Sequence, residues 1–159
     1  MTSRRTKTEA PFSAEQMFDL VADIEAYPEF IPWCAGLRIV DDNVENGRGS
    51  LLADMIVAYK VFRERFRSKV TVNKEEGAID AHYTDGPFER LCTTWRFEEK
   101  PDGGSIIHFF IDFKFKNFLL QSTARTVFEK AFMKMTDAFI ERAHALYGER
   151  ASAVEGVQK

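Results

Sequence analysis

The chain has 159 residues, enough for one domain, with 45% hydrophobic and 30% charged residues, a globular rather than disordered composition. A net charge of −3 gives no global attraction to DNA or to an anionic membrane. Cys34 and Cys92 have no CxxC or Cys/His spacing, which argues against a disulfide framework, and no metal site is expected.

Arg4 to Ala10 reads as a short, polar edge strand. Ser13 then caps a helix, with Gln16 as its capping-box partner and Ala14, Met17, Phe18, Val21 and Ile24 at helical spacing. Tyr27-Pro28 is expected to end that helix. Phe30 to Trp33 forms an apolar turn or second short helix. Leu37 to Val40 is the next strand, followed by a loop from Asp41 to Gly49. Strands are expected at Leu51 to Tyr59, Phe62 to Val72, Ala78 to Thr84, Arg90 to Glu98 and Ser105 to Phe115. Tight turns at Asn73–Gly77, Asp85–Pro87 and Pro101–Gly104 make these an antiparallel meander.

Alternation assigns the faces. Ile107, Phe109, Ile111, Phe113 and Phe115 share one side of the last strand. Leu91, Thr93, Trp95 and Phe97 share one side of the strand before it. Phe62, Glu64, Phe66, Ser68, Val70 and Val72 oppose Arg63, Arg65, Arg67 and Lys69. The sheet is therefore covered on one side only. Its cover is a helix from Gln121 to Tyr147, with Ala124, Phe128, Ala131, Phe132, Met135, Phe139, Ala143 and Leu146 on one face. At 1.5 Å per residue it spans roughly 40 Å, with Gly148 as its stop. The expected organisation is one domain over 1–148 and a flexible tail over 149–159. The N-terminus has no apolar segment of the kind a secretory signal needs.

The segments Tyr27-Pro-Glu-Phe-Ile-Pro-Trp-Cys34, Phe62-Arg-Glu-Arg-Phe-Arg-Ser-Lys-Val70, Gly86-Pro-Phe88, Trp95-Arg-Phe97, Ile111-Asp-Phe-Lys-Phe-Lys-Asn-Phe-Leu119 and Arg142-Ala-His-Ala-Leu-Tyr-Gly148 resemble one family. It is the coenzyme Q-binding, RatA-like family of the START-like polyketide cyclase/dehydrase superfamily. The resemblance runs from about residue 4 to 148. It implies an α+β helix-grip (START/Bet v 1-like) fold: a curved antiparallel sheet of about six or seven strands around a long C-terminal helix, with one or two short helices after the first strand. It also implies a tunnel holding a polyisoprenoid quinone such as ubiquinone, or another lipid, in support of respiration, with no covalent cofactor. A bacterial cytoplasmic protein is expected, with peripheral contact at the cytoplasmic face of the inner membrane. A ribosome-binding, toxin-like role is the alternative. A polyketide cyclase/dehydratase is the third reading.

The candidate ligand-binding residues are Tyr27, Phe30, Pro32, Trp33, Phe62, Glu64, Phe66, Trp95, Phe97, Phe109, Phe113, Phe128, Phe132 and Met135. Periodicity alone does not separate a packed core from a container, since both use the same aromatics. Glu64 either pairs with an arginine or faces a head group. Tyr27 to Trp33 is either a lid or a buried corner. Phe118-Leu119-Leu120 is either helix-start packing or a membrane-touching loop flanked by Lys114 and Lys116. Arg63, Arg65, Arg67 and Lys69 form a basic stripe, a candidate contact for phosphate or RNA, or a solvated face. No catalytic residue is expected: His82, His108 and His144 lie on separate elements and no catalytic motif is present.

Overall fold

The computed structural model describes residues 2–59, 62–123 and 125–148; for residues 2, 59, 62, 120, 123, 127 and 128 it describes the backbone alone. Seven strands form one antiparallel sheet: β1 (Thr2–Ala10), β2 (Cys34–Asp42), β3 (Arg48–Tyr59), β4 (Phe62–Asn73), β5 (Ala78–Asp85), β6 (Phe88–Glu99) and β7 (Ser105–Phe115). Their order is β1-β7-β6-β5-β4-β3-β2. β2 to β7 are a meander, and β1 closes the far edge against β7. The chain crosses from one edge to the other between β1 and β2, through α1 (Ala14–Ala22), a 3₁₀ turn at Ile24–Ala26 and α2 (Tyr27–Phe30). The cover is made by α3 (Phe118–Thr123), α4 (Arg125–Met133) and α5 (Met135–Ala143), followed by a π-helical turn at His144–Gly148.

Local chemistry explains most of these boundaries. The Ser13 hydroxyl accepts from the Gln16 amide and the Gln16 side chain accepts from the Ser13 amide, the reciprocal capping box that starts α1. Asn46 and Gly47 both have positive φ, the mark of a two-residue hairpin turn. The loop expected over Asp41–Gly49 is shorter than that: β2 runs on to Asp42 and β3 begins at Arg48. At Gly86, φ is +143° and a Cβ would lie 2.7 Å from Phe66 Cβ. Only glycine lets the β5–β6 turn settle on β4 in this way. The neighbouring Phe88 is wholly buried and stacks on Phe115 at 4.8 Å.

Two expectations need correction. Tyr27-Pro28 does not end a helix. Tyr27 is in the α region (φ −53°, ψ −43°) and Pro28 sits in the first turn of α2. Proline is tolerated there because its missing N–H would have no partner in any case. The first helix stops earlier, at Ala22, with Asp23 outside the helical region. The cover likewise does not begin at Gln121, nor is it one regular helix to Tyr147. It starts at Phe118, and at Lys134 the backbone opens to φ −90°, ψ −4° with its N–H shared between the Lys130 and Ala131 carbonyls at 3.2 Å each. Such a bifurcated, 3₁₀-like turn breaks the regular ladder between α4 and α5. The tail expected over 149–159 lies outside the described residues.

The inward alternation is followed closely, most plainly along β7, where every second side chain from Ser105 to Phe115 is buried. Helix α5 presses Phe139 onto this face. Phe139 is fully buried and meets Trp95 edge-on at 5.3 Å, Tyr27 at 5.2 Å and Phe30 at 5.3 Å. Removing such a ring leaves a void its neighbours cannot close. Phe139→Ala is expected to lower stability by about 3–5 kcal/mol, read as a fall in the urea midpoint with an unchanged slope.

Candidate functional site

Between the sheet and the helical cover lies a cavity of about 90 Å³. The sheet explains why it is there. On four successive strands the inward side chain at this level is small: Ala53 on β3, Ser68 on β4, Ala81 on β5 and Thr93 on β6. They are neighbours in register, Ala53 opposite Ser68 and Ala81 opposite Thr93. Bulkier groups, including Met55, Phe66, Trp95, Phe132 and Met135, ring this depression, and Ile24 and Tyr27 close its end. The wall is almost wholly apolar. Its polar side-chain groups are the hydroxyls of Ser68, Thr93 and Tyr27 and the indole N–H of Trp95.

Tyr27 is already committed. Its hydroxyl donates to the Val21 carbonyl, which ties α2 to the end of α1. Burial pushes the phenol well above its ordinary pKa, with Cys34 and Asp23 adding to the effect, so it stays a neutral donor. Burial also pushes the nearby Cys34 thiol up to about 11. The Ser68 and Thr93 hydroxyls make no side-chain hydrogen bond to another described residue. They are hydroxyls free to turn toward an occupant.

The sequence-predicted residues divide. Tyr27, Phe66, Trp95, Phe132 and Met135 line the cavity. Phe30, Pro32, Trp33, Glu64, Phe97, Phe109 and Phe113 do not. Phe30 packs on Phe139 with the Arg142 guanidinium over its ring at 5.1 Å. Pro32 is exposed and Trp33 is buried in the corner before β2. Phe97 lies under α1 against Phe18. Phe109 and Phe113 are core, one against Trp95 at 4.4 Å and the other between Phe88 and Phe132. Glu64 is half-buried beside Val57 near the β3–β4 hairpin, and pairs with no arginine among the described residues. The side chains of Phe62 and Phe128 lie outside the described residues. Residues 27–33 thus build a buried corner, of which Tyr27 alone reaches the cavity.

Sequence reasoning missed Ala53, Ala81 and Thr93 as well as Ile24, Leu37, Met55, Val70, Ile79 and Leu91. The usable signal was an interruption: small residues at inward positions of four neighbouring strands, where a filled core would carry large ones.

A wider cleft of about 690 Å³ opens to solvent beside α1. Asp19, Asp23, Asp42 and Lys74 border it, and Lys74 bridges Glu15 and Asp19. That charged rim suits water better than an apolar ligand.

On the outer face half of the basic stripe is held in ion pairs with a single carboxylate. Asp54, only 6% exposed, receives Arg67 Nε at 2.7 Å and Arg65 Nη2 at 2.9 Å, with Arg38 at 3.6 Å. Arg96 pairs with Asp80, Arg90 with Asp112 and Lys114 with Glu89. Arg63 and Lys69 remain exposed without an ion pair among the described residues. The histidines stay apart: His108 faces Glu98 at 2.9 Å, His144 meets the Phe12 ring, and His82 is exposed on β5. None borders the cavity.

The hydrogen bond from Arg67, opposed by burial and reinforced by Arg65, holds the Asp54 carboxyl well below the usual carboxylate range. A folded-state pKa below the unfolded value contributes stability that is present at neutral pH. It is lost as pH falls through about 4 toward the folded pKa. Asp54→Asn is expected to lower stability at pH 7 and to flatten the decline between about pH 5 and pH 3, measured by urea unfolding across that range.

A family profile described as polyketide cyclase / dehydrase and lipid transport matches residues 10–140. Among curated proteins, the ribosome association toxin RatA of Rickettsia prowazekii is 34% identical over 84% of this chain and 90% of its own length. The mitochondrial coenzyme Q-binding protein COQ10 homolog B of Xenopus laevis is 31% identical over 87% of this chain and 57% of its own. Among solved structures, an 18 kDa protein of Caulobacter crescentus is 32% identical, with a TM-score of 0.76 over 93% of this chain and 99% of the other. An aromatase/cyclase of Streptomyces sp. R1128 has a TM-score of 0.77 over 90% and 93% at 13% identity, a likeness of fold alone.

Proposed function

The chain belongs to the polyketide cyclase / dehydrase and lipid transport family, and from that premise we propose that it binds a polyisoprenoid lipid of the quinone class between the sheet and α4–α5. One observation carries the reading: small side chains on four adjacent strands leave an enclosed apolar space where the core would otherwise be filled. Apolar walls suit an isoprenoid tail. The Ser68 and Thr93 hydroxyls would donate to the carbonyl oxygens of a quinone head, each contributing about 0.5–1.5 kcal/mol. The likeness to the Xenopus coenzyme Q-binding protein supports this chemistry.

At about 90 Å³ the space is well under the roughly 300 Å³ at which ligand pockets begin, so an occupant enlarges it. The sheet is held by its ladders and yields little. The cover is the part able to move, with Phe132 on α4 and Met135 on α5 on either side of the irregular turn at Lys134. No carboxylate, imidazole, amine or thiol is among the described residues that border the cavity, which favours binding over catalysis.

Protein purified without detergent and extracted with organic solvent is expected to release a prenylated quinone or related lipid near one equivalent, identified by mass spectrometry. Ala81→Phe, which fills the cavity, is expected to remain folded and lose that lipid. An empty extract, together with no binding of added short-chain ubiquinone, contradicts the proposal.

A second reading rests on the 34% identity to the Rickettsia ribosome association toxin, with Arg63 and Lys69 as the exposed cations of the outer face. If it holds, overexpression shifts ribosome profiles on sucrose gradients toward free subunits, and Arg63→Glu with Lys69→Glu restores the normal profile. Unchanged profiles on overexpression exclude it.

A further inference from the structure

The corner between β7 and α3 displays two large apolar side chains on a rigid mount. Phe118 is 85% exposed and Leu119 67%, and Phe118 is the most exposed large apolar side chain among the described residues. Disorder is not the reason. The Asn117 side chain accepts from the Leu119 amide at 2.7 Å and its carbonyl accepts from the Gln121 amide, so Asn117 caps α3. The Gln121 side chain accepts from the Phe115 amide at 3.0 Å, and the Lys116 amide donates to the Pro87 carbonyl. Four hydrogen bonds therefore hold the tip against the end of the sheet with Phe118 facing out.

The charge around the tip differs from that of the protein as a whole. Residues 114–134 carry five basic side chains and one acidic one, in a chain of net charge −3. The acidic one, Glu129, is paired with Arg4. Lys116, Arg125, Lys130 and Lys134 are exposed and form no ion pair among the described residues. On α4, Lys130 and Lys134 border a shallow groove with the exposed Met133.

We propose that this corner is the protein's contact with an anionic lipid bilayer: Phe118 and Leu119 enter the interfacial layer, and Lys116, Arg125, Lys130 and Lys134 meet the head groups. Aromatic and aliphatic side chains ringed by cations are what such an interface accepts. A nucleic-acid surface would match the cations and leave Leu119 without a favourable environment. The inference extends the lipid-binding reading, because α4 carries both Lys130 at the contact and Phe132 in the cavity wall. Docking would thus act on the element that must shift for the cavity to open.

The test is co-sedimentation of lipid-stripped protein with quinone-free vesicles, either phosphatidylcholine alone or phosphatidylcholine mixed with phosphatidylglycerol. Preferential, salt-sensitive binding to the anionic vesicles is expected. Phe118→Ser with Leu119→Ser should weaken partitioning at least about tenfold, and each of Lys116→Glu and Lys130→Glu by about fivefold. Arg63→Glu with Lys69→Glu, on the outer sheet face, should leave it unchanged. Circular dichroism and thermal melts confirm that the exposed-site variants remain folded. Equal binding to both vesicle types, or no loss in the Phe118/Leu119 variant, overturns the proposal. So does sedimentation showing that the tip is buried in a stable dimer, or binding of the tip to RNA but not to vesicles. Quinone-free vesicles keep the result separate from the cavity: docking can succeed where ligand binding fails, and the reverse.

Discussion

Helix, sheet and corner are joined at Phe139. Its ring meets Trp95 on β6, Tyr27 and Phe30 on α2, all edge-on and all between 5.2 and 5.3 Å. Edge-to-face contacts add a directional preference to the burial of apolar area. The position of α5 over the sheet is therefore fixed at this end, and with it the height of the roof above Ala53, Ser68, Ala81 and Thr93. The cavity is a consequence of that spacing: large aromatics hold the cover off the sheet, and small residues beneath fail to fill the gap.

The other end of the cover is fastened differently. Helix α4 reaches the cavity through Phe132 and is tied to the β1 edge by Arg4 and Glu129, a partly exposed ion pair of small worth. Between α4 and α5 the Lys134 amide is shared between the Lys130 and Ala131 carbonyls. One half of the roof is pinned by interlocked rings; among the described side chains, the other is held by the buried Ala131 and Phe132 and by a weak surface pair. A ligand that needs more space than the resting cavity provides would displace the second half at lower cost. The exposed Phe118–Leu119 corner lies at the start of that same half.

Much of this was legible in the sequence, for identifiable reasons. Period-two burial in β7, the Ser13–Gln16 capping box and the four-residue spacing of Ala131, Met135, Phe139 and Ala143 each encode structure locally, and each appears as expected. What failed was non-local. Pro28 was expected to stop a helix, but its neighbours had already turned and it serves as a starting residue instead. Asp54 drew no notice in an apolar strand, yet it gathers Arg65, Arg67 and Arg38 from β4 and β2, fixing half of the stripe in place while cancelling one of its charges. The cavity lies between sheet and cover as expected, with Tyr27, Phe66, Trp95, Phe132 and Met135 in its wall, but large aromatics attract attention in a sequence while the space itself is made by small residues. Phe97, Phe109 and Phe113 do the packing expected of a core. Ala81 and Thr93, neither of them read as a site residue in the sequence, help make the opening, and strand register brings them together.

The central claim is that the gap between the small-residue patch and α4–α5 receives a lipid. Photo-crosslinking with a short-chain ubiquinone analogue bearing a diazirine on its tail, followed by peptide mass spectrometry, tests it most directly. Adducts concentrated on Met55, Phe132 and Met135, and competed by unlabelled quinone, are the predicted result. Adducts confined to the outer sheet face or to the cleft beside α1, or labelling that unlabelled quinone does not reduce, would contradict it.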